Sequence, residues 1–330
     1  MNGIKNFSRK VLIALLLFIP FFFVIIFDLP KKIISRGILS HELSILPNLI
    51  VKKLNKKTDI DLYSVENKYY ASLIFNDYVA KTTQPVKENL DDGASWKLLH
   101  GSIWCDGVSD IFGRMNEVLN IRSYIVFLYN DKEIAPHALA YVDFENKKIN
   151  RDKNNKILDF ERLYLFDPQN NYLPLNAKGE LVRIKYFIEN EGLYKNLTKL
   201  DSDGKKLNLL KNRRSEFFSA NMIDEDNSFI RSFSKKIVKL VPDIFFEKLI
   251  LLSIKINPSM SNDHKQYFYA RINHVLMNYK QASKEYLKIK KESEYFDYAK
   301  FWIDQISKSN VLLNDIKISE IKNNFINKKI

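Results

Sequence analysis

Gly101-Ser102-Ile103-Trp104-Cys105-Asp106-Gly107 runs straight into Val108-Ser109-Asp110-Ile111-Phe112, and this junction decides how the chain is read. Val108, Ile111, Phe112, Met115 and Leu119 fall at i, i+3, i+4, i+7 and i+11. That is one apolar stripe at helical spacing, so a helix begins at or just after Cys105. Cys105 is the only cysteine in 330 residues. A lone cysteine is ordinarily a small buried hydrophobe. At a helix start, however, unpaired N–H groups and the positive end of the dipole favour a thiolate over a thiol.

Working outward, two later segments complete a chemical set. His137 opens the apolar run His137-Ala138-Leu139-Ala140-Tyr141-Val142-Asp143-Phe144, and Asp167 closes Tyr164-Leu165-Phe166 ahead of Pro168. Both runs read as strands. A helix-start cysteine followed by a histidine and an aspartate on strands supplies a nucleophile, its base and the group that orients the base. Asp152 is the alternative orienting carboxylate, but Asn150-Arg151-Asp152-Lys153-Asn154-Asn155 reads as a polar loop. His100 is a rival base close to Cys105 in sequence, while His41, His264 and His274 lack a comparable setting. Trp104 and Trp96 are candidates to wall the cleft or to donate an indole N–H to an oxyanion, the alternative being plain packing. The Cys105 backbone N–H is the first oxyanion candidate.

Residues 91–186 resemble the transglutaminase-like superfamily of papain-like cysteine enzymes. Leu99-His100-Gly101-Ser102-Ile103-Trp104-Cys105-Asp106-Gly107-Val108-Ser109 is similar to its nucleophile box. Leu119-Asn120-Ile121-Arg122-Ser123-Tyr124 is similar to its helix–strand turn, His137-Ala138-Leu139-Ala140-Tyr141-Val142 to its histidine strand, and Leu165-Phe166-Asp167-Pro168 to its aspartate strand. The turn departs from the family's Gly-Ile-Pro-Ala-Arg, and Leu139 and Tyr141 stand where the family carries Trp and Glu. The resemblance implies an α+β papain-like core and attack of Cys105 on an amide carbonyl. An acyl-enzyme would then pass to water or to an amine of a peptide or other amide-bearing substrate.

At the N-terminus, Val11 to Phe27 is uncharged and overwhelmingly apolar, with Lys5, Arg9 and Lys10 before it and Asp28-Leu29-Pro30-Lys31-Lys32 after it. At about 1.5 Å per residue it covers roughly 25 Å, the short end of a bilayer span. No Ala-x-Ala cleavage site follows, and Pro20 is tolerated better in a membrane helix than in a soluble one. The expectation is a retained signal anchor in the cytoplasmic membrane with a short cytoplasmic tail (1–10) and an exported body. The charge asymmetry across the segment is small. A single cysteine leaves no internal disulfide to form in an oxidising compartment.

The remaining organisation follows from composition breaks. Residues 28–59 read as a basic linker, 60–195 as the catalytic unit, 196–214 as a polar linker, and 215–330 as an α-helical region. Within the catalytic unit, 181–187 is expected to be a last strand. Helices are expected on either side of Pro242, through 267–277, through 281–287 and through 295–306. The 267–287 stretch resembles a tetratricopeptide hairpin, and an ordinary helical cap on the enzyme is the competing reading. Lysine and arginine exceed acids by 52 to 39, for a net charge of +13, but the excess is spread along the chain as solvated surface. No zinc-ligand cluster, P-loop, dinucleotide glycine motif or basic–aromatic ladder is present, so no cofactor, no metal and no nucleic-acid partner is expected. Two function classes stand. One is a membrane-anchored cysteine enzyme; the other is a non-catalytic binding or assembly protein for a surface polysaccharide or export system, with the helical region as a docking surface for a protein partner.

Overall fold

The computed structural model describes residues 45–85, 94–128, 137–145, 162–173, 181–189, 219–220 and 241–308. The expected membrane segment 11–27, the polar linker 196–214, His41 and Asp152 lie outside them. Among the described residues no helix is long and apolar enough to cross a membrane.

The chain begins with helix α1, Ile45–Asn55. A 3-10 turn at Val65–Asn67 leads into α2, Lys68–Thr82. Strand β1 (Gln84–Pro85), helix α3 (Ala94–His100) and β2 (Ser102–Ile103) follow, with β1 and β2 paired in parallel. Helix α4 runs Cys105–Val118, as its apolar stripe requires. Then come β3 (Arg122–Leu128), β4 (His137–Asp143), β5 (Tyr164–Phe166), the short helix α5 (Ile184–Glu189) and β6 (Ser219–Ala220). The chain closes on α6 (Asp243–Ile256), α7 (Asn262–Val275), α8 (Tyr279–Tyr286) and α9 (Phe296–Lys308). The fold is α+β, with helices packed around a small antiparallel sheet of order β5-β4-β3-β6.

Helix α4 sits between the sheet and the other helices, and its ends explain its length. Trp104 occupies the N-cap in extended geometry. At the far end Ile121 N–H donates to Asn116 O at 3.0 Å and Asn120 N–H to Glu117 O at 2.9 Å. With Asn120 at φ 56, this is a Schellman stop, in which asparagine accepts the left-handed conformation. The chain reverses there directly into β3. On the sheet side, Phe112 meets Phe166 with ring centroids 5.1 Å apart. On the helical side, Ser72 Oγ donates to Asn116 Oδ1 at 2.6 Å, a buried bond between α2 and α4.

Three expectations are corrected. Residues 45–55 are no linker, because Leu46, Leu49, Ile50, Val51 and Leu54 are fully buried in the core. The lysines that suggested a linker dock this helix instead: Lys52 and Lys56 each stand 2.6 Å from Asp243, and Lys53 2.8 Å from Glu247. Partly exposed pairs of this kind contribute about 0–1 kcal/mol each, against about 1.5–3 for each buried aliphatic side chain, so the apolar face decides the placement. Residues 181–187 are not a strand. Leu181 and Arg183 form isolated bridges only, Arg183 with Tyr164, before the chain turns into α5, and Leu181, Val182 and Ile184 are all buried, which breaks the period of two. Finally, α6–α9 do not form a separate unit, since their side chains join the same core cluster as α1, α2 and α4. Tyr78 Oη on α2, for instance, donates to Val275 O at 2.6 Å.

Candidate active site

Cys105 is the first residue of α4, where the local sequence breaks a rule. Capping would favour Ser, Asp or Asn at position 104, worth about 1 kcal/mol, yet the residue is Trp and makes no side-chain cap bond. The N–H of Gly107, which such a cap could meet, is taken instead by Asp106 Oδ1 at 2.8 Å. Cys105 itself is 7% exposed, packed with Ile125 and Ala138. Its Sγ accepts a hydrogen bond from the backbone N–H of Ala138 at 3.2 Å, which fixes the sulfur against β4.

The neighbour of Ala138 on that strand is His137. Its Nε2 lies 2.9 Å from Asp167 Oδ2. Nε2 is committed to the carboxylate, and Cys105 is near enough to act on the ring electrostatically. Burial alone would lower the imidazole pKa. Asp167 and then Cys105 outweigh it and push His137 up to about 10. Burial likewise opposes ionisation of Asp167, and His137 with Asn170 overcomes it, holding the carboxyl below its ordinary range. Through neutral pH the site thus contains an imidazolium between a carboxylate and a sulfur.

The register explains why these residues meet. Antiparallel pairing runs from Leu128↔His137 to Arg122↔Asp143 across β3–β4, and from Ala140↔Phe166 to Val142↔Tyr164 across β4–β5. His137 at the start of β4 and Asp167 just past the end of β5 therefore fall at the same end of the sheet. The long connection between them does not matter, because antiparallel pairing closes it.

Asn170 was not singled out in the sequence. Its backbone N–H donates to Asp167 Oδ1 at 3.1 Å, its Nδ2 to Asp167 Oδ2 at 2.9 Å, and Nδ2 lies 3.4 Å from His137 Nε2. The signal was present in Asp167-Pro168-Gln169-Asn170, a turn whose first side chain accepts from the backbone three residues on. Asn171, at φ 50, ties the same loop to α2: it accepts from Asn76 and donates to Asp77, both at 2.9 Å.

The two tryptophans separate. Trp104 is exposed beside the nucleophile, where it can wall a substrate cleft. Trp96 is half-buried and packs on Phe268 of α7 with centroids 5.4 Å apart, a contact between α3 and the C-terminal helices. His100, the rival base, points Nδ1 at Ser102 O, 2.9 Å away. His264 is sandwiched by Phe268 and Tyr295. Among the described residues no group of three or more His, Cys, Asp or Glu side chains could hold a metal ion. Compared with known proteins, the chain matches no family model, no curated protein and no solved structure.

Proposed function

We propose that this chain is a membrane-anchored cysteine enzyme of the transglutaminase-like type, in which Cys105, His137 and Asp167 act on an amide carbonyl. The observation that carries the reading is the ordered contact set: Ala138 N–H on Sγ, its strand neighbour His137 paired with Asp167, and Asp167 bonded by both His137 and Asn170. A buried structural cysteine needs no such chain of partners.

In the proposed cycle Sγ attacks the carbonyl carbon, forming the C–S bond while the C=O electrons move to oxygen. The Cys105 N–H, at the positive end of α4, faces that oxyanion. The C–N bond then breaks and His137 gives its proton to the departing amine, leaving a thioester. Water or a second amine attacks the thioester, His137 accepts the incoming proton, and Cys105 is released. Asp167 keeps the ring oriented throughout and stabilises the imidazolium. Trp104 walls the entry. Residues 11–27 hold the body at the outer face of the cytoplasmic membrane, which directs the activity toward peptide or amide groups of cell-surface polymers.

The test is reaction of the folded protein with an electrophilic peptide probe, read by intact mass. The expected result is one adduct, on Cys105, formed rapidly near neutral pH and slowed by His137→Ala. Modification of Cys105 only after unfolding would return it to the buried hydrophobes and favour the non-catalytic binding role.

A further inference from the structure

Arg271 lies on α7 with no exposed surface. Its Nη2 donates to Thr82 O and to Leu98 O, each at 2.7 Å, and its Nη1 lies 3.1 Å from His274 Nδ1. Burial, then the guanidinium itself, holds His274 neutral, so that nitrogen accepts. The guanidinium carbon stands 4.3 Å from the centroid of the Trp302 ring. Among the described residues no carboxylate pairs with it. A buried cation is costly unless its donors are met; here helix-end carbonyls meet Nη2 and His274 meets Nη1, while Nε has no partner among the described residues. Thr82 ends α2 and Leu98 lies in the last turn of α3, where carbonyls lack intrahelical donors and positive charge is favoured.

Tyr267, one turn earlier on α7, adds a second grip. Its Oη donates to His100 O at 2.7 Å and accepts from Trp302 Nε1 at 3.1 Å. The gripped carbonyls lead into Gly101, at φ 77. A Cβ there would lie 2.6 Å from Arg271 Cζ and Nη2, so the turn touches the guanidinium directly. Gly101 O then accepts from Gln84 N–H at 2.6 Å, and β2 delivers the chain to Trp104 and Cys105.

We infer that Arg271 is a positioning residue for the nucleophile: with Tyr267 it clamps the 98–101 turn from the C-terminal helices and fixes where Cys105 enters α4 relative to His137. The inference rests on the reading of Cys105 as a nucleophile. It also gives the C-terminal helices a role in the site itself, since no other described segment supplies donors to both Leu98 O and His100 O.

The experiment measures the pH dependence of Cys105 alkylation by iodoacetamide, with thermal melting alongside, in the full chain. As the sole cysteine, Cys105 gives an unmixed readout. Tyr267→Phe and Gly101→Ala are the main variants, because the first removes one hydroxyl and the second adds one methyl. Ile306→Ala, buried on α9 without a bond to the turn, is the control for destabilisation alone. Both main variants should lower the alkylation rate at mildly acidic pH by about ten- to a hundredfold, the scale of an ångström-level misplacement. The control should melt earlier with a wild-type pH profile. Arg271→Lys should recover part of what Arg271→Met loses, since one ammonium cannot reproduce the fork. If Arg271→Met does not fold, the two main variants still decide. Wild-type pH profiles in both, with lowered melting, would reduce the clamp to a structural contact and overturn the inference alone. A wild-type protein no more reactive than His137→Ala would overturn the nucleophile reading and this inference together.

Discussion

His137 and His274 are buried to a similar degree, 8% and 4% exposed, yet they are driven in opposite directions. At the sheet end, Asp167 and Cys105 overcome burial and keep the imidazole charged, up to about 10. In the helical region Arg271 adds to burial and keeps His274 neutral, well below the ordinary histidine value. Burial sets the same bias at both sites, and the neighbouring charge decides the sign. The difference assigns roles. A ring held between a carboxylate and a sulfur can pass a proton between reacting atoms. A ring that accepts from a guanidinium and contacts a tyrosine hydroxyl at 3.2 Å serves only as a fixed acceptor.

The largest expected effect comes from removing the charge that separates the two sites. Asp167→Asn should lower turnover on the order of 10⁴-fold while leaving the fold intact, as loss of the orienting carboxylate does in serine proteases. It should match Cys105→Ala in a complementation assay. Without the carboxylate only burial and Cys105 act on the ring, so an NMR titration of His137 should move down, toward the behaviour of His274. An unchanged titration in Asp167→Asn would break the comparison.

His137→Ala should slow alkylation of Cys105 by roughly a hundredfold in mildly acidic buffer, where a free thiol with a pKa of about 8.5 is almost wholly protonated. The corresponding change at His274, to Asn, should affect melting more than alkylation. Equal effects on alkylation from both variants would erase the distinction.

Stability against pH sharpens the contrast further. The His137 pKa is raised on folding, so its contribution is fully present below about 6.5 and is lost as pH rises through about 10. The lowered Asp167 pKa works on the other side, its contribution being lost as pH falls below the ordinary aspartate value. His274, lowered on folding, opposes folding as pH drops below about 6.5, because the unfolded chain then takes up a proton the native state refuses. Denaturant midpoints across pH should therefore show a loss between about pH 6.5 and 10 that disappears in His137→Gln and an acid loss that lessens in His274→Asn. The smallest effects belong to the groups passed over as base and orienter. His100→Gln and Asp152→Asn should leave alkylation and turnover near wild type, and a large loss at Asp152→Asn would mean the carboxylate has been misassigned.

What was legible in the sequence was what local pattern encodes. The stripe from Val108 to Leu119 announced α4 and placed Cys105 at its start, and the apolar runs after His137 and before Asp167 announced the strands that bring the two side chains together. Helices α7 to α9 followed from their spacings, and Pro242 marked the start of α6. What was not legible depends on contacts between distant segments. The lysines of α1 looked like a solvated linker because their partners, Asp243 and Glu247, lie far along the chain. The packing of Trp96 on Phe268 joins residues far apart in the chain, and local pattern could not announce it. Arg271 is one basic residue among many until Thr82 O and Leu98 O converge on it.

The bond from Ala138 N–H to Sγ has a consequence for how this protein tolerates change. It ties the sulfur to a numbered position of β4, and side chains along a strand alternate between faces. An insertion or deletion inside that strand would exchange the faces of His137 and Ala138, carrying the imidazole away from both Cys105 and Asp167 even if every other contact survived. Point substitutions elsewhere in the sheet change packing by degrees, whereas a single-residue shift here leaves the nucleophile without its base in one step.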